Sequence, residues 1–214
     1  MSWFADDPAD CGRKIARGGW GEDLALQRCE APIGPRNAYS NAAYPLAGWV
    51  LPFLAGWTPA TLVMATTLTM LGYGSYRYHA YKTVADNNLD RAGMYLVFGA
   101  LAACALAPAH DMIALAMVTW GVVLATLFTY VIKSVNLDLQ MGLLLGFAGT
   151  GALLHGDAGL AGISMLVFLA AYAAWQLNKS GRLVPWGHAI WHVFTAVAID
   201  LMYLALITGG ARPA

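Results

Sequence analysis

Charge is what this sequence has least of. Asp, Glu, Lys and Arg together make up 11% of its 214 residues, against about 25% in an ordinary soluble domain. Hydrophobic residues make up 59%, so there is too little polar surface to clothe a water-soluble fold, and an integral membrane protein is expected. Net charge is absent too. A formal charge of zero offers no basic excess to meet a phosphate backbone, and nucleic acid is not expected as a partner. Cysteine is sparse: Cys11, Cys29 and Cys104 follow no CxxC spacing, and Cys104 lies inside an apolar run, which implies no disulfide framework. Residues 1–30 are polar and carry no apolar core of the signal-peptide kind, so no cleaved leader is expected. No internal repeat and no soluble domain is visible.

What remains is a succession of apolar runs. At about 20 residues per membrane crossing, they predict seven spans at roughly 39–56, 59–80, 90–107, 110–132, 138–155, 159–178 and 186–208. Turn residues punctuate them at Gly56-Trp57-Thr58-Pro59, Pro108, Gly156-Asp157 and Ser180-Gly181. The expected fold class is an all-α membrane protein, a seven-transmembrane-helix bundle. Its parts are a polar N-terminal segment (1–36), the transmembrane domain (37–208) and a short C-terminal tail (209–214). Seven spans place Arg13, Lys14, Arg17, Arg28, Arg36, Arg77, Lys82, Arg91, Lys133, Lys179 and Arg182 on one face, and only Arg212 on the other. By the positive-inside rule the N-terminus is then cytoplasmic and the C-terminus outside.

The same alternation brings three separate stretches to the basic side. Ser75 and His79 close the second span, Asp90 and Arg91 open the third, and His188 and His192 open the seventh. Residues four apart lie one above the other on a helix, so His188 and His192 can aim two imidazoles at one point, and Ser75 shares a face with His79. Three protein ligands with a fourth position open are the pattern of a catalytic zinc site. Zinc lowers the pKa of a bound water to about 7, a carboxylate such as Asp90 can move the proton, and a hydroxyl such as Ser75 can steady an oxyanion. These are the parts for hydrolysing an amide or ester within a membrane. The active site is expected on the cytoplasmic side. His110 and His155 map to the opposite side, as interfacial residues without a role.

Ser75-x-x-x-His79, Asp90 eleven residues later and Gly187-His188-Ala189-Ile190-Trp191-His192 together resemble the alkaline ceramidase family. That family belongs to a wider seven-span metal-hydrolase superfamily that includes the adiponectin-receptor-like proteins. Cys29-Glu30 and Asn37-Ala38-Tyr39-Ser40-Asn41 resemble the elements that open the family's first span. The resemblance runs from about Cys29 to the end of the last span. It implies a zinc-dependent amidase acting on a ceramide-like lipid, with release of a long-chain base and a fatty acid. His79, His188 and His192 would be the zinc ligands, Asp90 would orient and deprotonate water, and Ser75 would contact that water or the oxyanion. Asp86 is off the family spacing. Eukaryotic members carry an acidic calcium cluster around the Cys-Glu element, whereas Gln27 to Pro32 offers one carboxylate here. A calcium site is therefore not expected; Glu22, Asp23, Glu30 and Asn37 are the groups that would form one.

Other polar residues have two readings each. Asp200 is either a pocket residue or an interhelical hydrogen-bonding group. Tyr73, Tyr76, Tyr78 and Tyr81 fit an aromatic belt first and a headgroup grip second. Asn37, Ser40 and Asn41 either cap the first span or hydrogen-bond to the site, the resemblance favouring the site. Gly142, Gly146, Gly149 and Gly151 predict a small-residue face, for close helix packing first and a lipid-accommodating groove second. The competing function is a receptor-like or structural seven-span protein with a non-catalytic zinc site. A haem protein is disfavoured, because two axial histidines should face each other from opposite sides.

Overall fold

The computed structural model describes residues 35–81, 83–106, 112–131, 137–179 and 186–208. Among them there is no strand. The helices are α1 (Pro35–Ser40), α2 (Ala43–Ala55), α3 (Pro59–Tyr81), α4 (Val84–Leu106), α5 (Ile113–Thr126, prolonged by a π-helical stretch Leu127–Val131), α6 (Leu137–His155), α7 (Ala158–Lys179) and α8 (Gly187–Thr208). Cys29, Glu30, the remaining acidic residues of the N-terminal segment and His110 lie outside the described residues.

Local chemistry sets the starts of these helices. Thr58 accepts the Thr61 amide at 3.2 Å and Pro59 takes the first helical position of α3, where its missing N–H costs nothing. Thr83 opens α4: its hydroxyl accepts the Asp86 amide at 3.1 Å and donates to the Asp86 carboxylate at 2.6 Å. Asp157 opens α7 by accepting the amides of Gly159 and Leu160 at 2.8 and 3.0 Å. Gly56 ends α2 at φ 87°, a left-handed conformation that a Cβ would disfavour.

Three stretches are long and apolar enough to cross a membrane: Ala85–Leu106, Ala158–Leu177 and Gly187–Thr208, of 22, 20 and 22 residues. They make this a membrane protein. The remaining helices fall where crossings were expected, with two differences in outline. The segment at 39–56 is broken at Asn41–Ala42 into α1 and α2, and α4 begins at Val84 rather than at Asp90, so Asp86, Asn87 and Asp90 are all helical. In α4, 61% of the apolar window is buried, against 17% in α7; α4 is the central helix and α7 an outer one. α4 packs on α3, α5 and α6, and α8 packs on α7 while closing against α1 and α2. The outward side chains, Phe53, Leu46, Leu154 and Leu166 among them, are apolar, as a lipid-facing surface requires.

Missing side chains set how near α3 and α4 approach. A Cβ on Gly74 would lie 2.8 Å from the Leu89 carbonyl oxygen, and one on Gly93 would lie 2.7 Å from the Leu71 Cα. Both contacts are to backbone, so the two helices touch at the level of Ser75 and Asp90. The α6 glycines do not share this role throughout. Gly151 packs tightly, since a Cβ there would collide with the Ala105 side chain, but a Cβ on Gly142 or Gly146 would meet nothing within 4 Å. The expected packing face is thus confined to one end of α6, and the rest of the row is open.

Candidate metal centre and its cavity

The end of α3 and the start of α8 meet at three histidines. The ligand nitrogens of His79, His188 and His192 all lie within 4.8 Å of one another, and the ring centroids are 4.6 Å apart for His79–His188, 5.1 Å for His79–His192 and 4.8 Å for His188–His192. His79 and His192 are buried and His188 is half-buried. Three imidazoles converging from two helices can hold a metal ion.

The outer nitrogen of one ring is already engaged. Ser40, the last residue of α1, places its Oγ 2.7 Å from His192 Nδ1 and 3.0 Å from the Asn37 carbonyl. A carbonyl only accepts, so the Ser40 hydroxyl donates to it and accepts the hydrogen bond of the His192 Nδ1–H. That tautomer leaves the Nε2 lone pair for a metal, the usual arrangement of an imidazole ligand oriented from behind. Asn41 braces the same carbonyl with Nδ2 at 2.7 Å. Of Asn37, Ser40 and Asn41, it is Ser40 that reaches the site, while Asn41 bonds to the Asn37 carbonyl. Behind His192, the Tyr44 hydroxyl donates to Thr195 Oγ1 at 2.8 Å, and Thr195 donates to the Trp191 carbonyl at 2.6 Å.

The histidines stand at one end of a cavity of about 480 Å³ that Ser75, Asp90, Arg91 and Gly142 also line. Ser75 and Asp90 are buried. Leu71, Met94, Phe98 and Ile199 line it as well; each lies one to two turns from the histidine end along its own helix, all in the same direction. The cavity is therefore polar at one end and apolar at the other. Phe168, Tyr172, Trp175 and Trp191 form one wall, with ring centroids 5.4 to 5.7 Å apart along Phe168–Trp191, Trp191–Trp175 and Trp175–Tyr172.

Other candidates are placed elsewhere. Asp86 is taken up by Arg77, whose Nε donates to it at 2.9 Å, and by Thr83, so it serves as a helix cap and ion-pair partner. Asp200 is on α8 but does not line the cavity. His155 is exposed at the end of α6, away from the three-histidine group. Of the four tyrosines near the end of α3, Tyr78 lines the cavity. Tyr81 lies under the Arg77 guanidinium, 4.7 Å from the ring centroid, and Tyr73 is exposed. Sequence reasoning missed the aromatic wall and the inward position of Arg91. The signal for Arg91 was its spacing: Asn87, Arg91, Met94 and Phe98 recur at helical intervals on one face of α4. Comparison of the chain with protein-family models and with curated proteins gives no match.

Proposed function

We propose that this protein is an intramembrane zinc-dependent amidase of seven spans that cleaves the N-acyl bond of ceramide-like lipids. One observation carries the proposal: a cluster of three histidines, two of them buried, shares a cavity with a buried carboxylate and a buried hydroxyl, and that cavity turns apolar away from the histidines. His79, His188 and His192 would hold the zinc, with Ser40 fixing His192. When bound, the ion supplies Lewis-acid polarisation and lowers the pKa of water to about 7.

The rest falls to the chain's own residues. The Asp90 carboxylate takes a proton from water as its oxygen attacks the acyl carbon, and gives that proton to the departing nitrogen as the C–N bond breaks. The Ser75 hydroxyl donates to the oxygen on which charge develops. The apolar end of the cavity takes the acyl chain. Basic residues favour a cytoplasmic site and N-terminus, with the C-terminus outside.

Metal content and fatty-acid release from a short-chain ceramide test this on one set of purified samples. Wild type is expected to carry about one zinc per chain, and the His188→Ala, His192→Ala double variant to lose both metal and hydrolysis. Asp90→Ala is expected to keep metal and lose activity by at least about 100-fold. Zinc without hydrolysis of any lipid amide would favour the non-catalytic, receptor-like reading, and a folded wild type free of metal would sink both.

A further inference from the structure

Two donors on the α4–α6 side of the cavity have no acceptor, and the mechanism above uses neither. Arg91 lines the cavity, yet its Nε is buried without a hydrogen-bond partner; Gln140 Nε2, in α6, is buried and unpartnered as well. The two residues are joined through Tyr95. Its hydroxyl donates to Gln140 Oε1, and the Arg91 guanidinium, one turn earlier on α4, faces the same hydroxyl. Tyr95 is fully buried, so it holds both neighbours in place.

A guanidinium cannot lose its charge, and in apolar surroundings it calls for an anion. Among the residues whose side chains are described, no carboxylate pairs with Arg91. Asp86 is bound to Arg77, Asp200 stands outside the cavity, and Asp90, the preceding residue, is turned about 100° around the helix axis. The cavity itself is where an anion would fit. Arg91 is only one residue from Asp90, a rise of about 1.5 Å, so its backbone lies near the depth of the catalytic candidates, and its side chain lines the same cavity. Gly142, on the facing helix, adds no side chain to fill the space.

We propose that Arg91, oriented by Tyr95 and Gln140, forms an anion subsite for the acidic head of a single-chain lipid whose tail runs past Met94 and Phe98. This deepens the function proposed above by naming an acidic lipid where a ceramide would be neutral, and it rests on the cavity being a lipid site. The acid is either the carboxylate of the acyl chain itself or one carried beyond the amide on the amine half.

Displacement of a neutral fluorescent long-chain alcohol from the purified full-length protein tests the subsite without hydrolysis. The competitors are palmitic acid, N-palmitoylglycine and hexadecanol. Wild type is expected to bind at least one of the acids about tenfold more tightly than hexadecanol, as for a charge-assisted hydrogen bond. Arg91→Gln is expected to erase that preference and leave hexadecanol binding unchanged. Tighter N-palmitoylglycine assigns the acid to the amine half, and tighter palmitate assigns it to the acyl half. Arg91→Met, which keeps the aliphatic stem against Tyr95, decides the question if the glutamine variant does not bind hexadecanol. Equal affinities in wild type, or a preference that survives loss of the guanidinium, overturn the subsite. The preference without hydrolysis of any lipid amide leaves the subsite standing and removes the enzyme; hydrolysis without the preference does the reverse.

Discussion

Ser40 shows how much a single hydroxyl decides. It lies 152 positions from His192 in the chain, yet it selects which nitrogen of that ring carries the proton. Partners of this kind typically change metal affinity 10- to 100-fold. Ser40→Ala is therefore expected to bind zinc about 10- to 100-fold more weakly, read by competition with a coloured chelator, while the chain stays folded; unchanged affinity would remove Ser40 from the site. The histidine pair was legible because four-residue spacing is a local property of a helix. The Ser40 contact was not, because its two partners come from opposite ends of the chain; the sequence offered Asn37, Ser40 and Asn41 as candidates without saying which atom reaches the site. Arg91 was harder still. Its charge fitted a basic interface, and only its place on the inner face of α4 makes it a cavity residue.

Between elements, the decisive contact is the glycine-mediated approach of α3 to α4. His79 and Ser75 come from one helix and Asp90 from the other, so the distance between their backbones sets whether hydroxyl and carboxylate share one cavity. At Gly93 a methyl group would press on the Leu71 Cα at 2.7 Å, and backbone cannot rotate out of the way as a side chain would. Gly93→Ala is expected to cost about 1–3 kcal/mol in thermal or denaturant stability and to lower hydrolysis further by parting Ser75 from Asp90. A fully stable, fully active variant would show that the helices have slack. Helix starts were readable at this scale because Thr58-Pro59 and Gly156-Asp157 are local signals that the caps then use. The break at Asn41–Ala42 was not, since the apolar run continues through it. The glycine row in α6 misled for a different reason: small residues mark close packing only where a neighbour is present, and Gly142 and Gly146 face none.

For the whole molecule, the outstanding expectation is orientation. Seven crossings with the basic residues on one side would place Tyr81 toward the cytoplasm and His155 outside. Single cysteines at these two exposed positions, in a background without Cys11, Cys29 and Cys104, are expected to react with a membrane-impermeant maleimide from opposite sides of sealed vesicles. Labelling of both from one side would break the seven-span topology. Composition revealed the membrane setting because a folded chain with so little charge must turn apolar side chains outward, and only lipid tolerates that over a whole surface. The number of crossings rests on where turns fall, and composition is blind to that.

The break that makes α1 a separate helix also has a temporal consequence. α1 touches both α3 and α8, Ser40 holds a ring of α8, and the Arg36 guanidinium sits 4.4 Å over the Trp186 ring just before α8 begins. During synthesis, α1 and His79 leave the ribosome long before the two remaining histidines exist. A nascent chain halted before α8 owns one ligand and a serine with nothing to orient. The proposed ion site, like the ties of α1 to α8, is therefore complete only once α8 has been made.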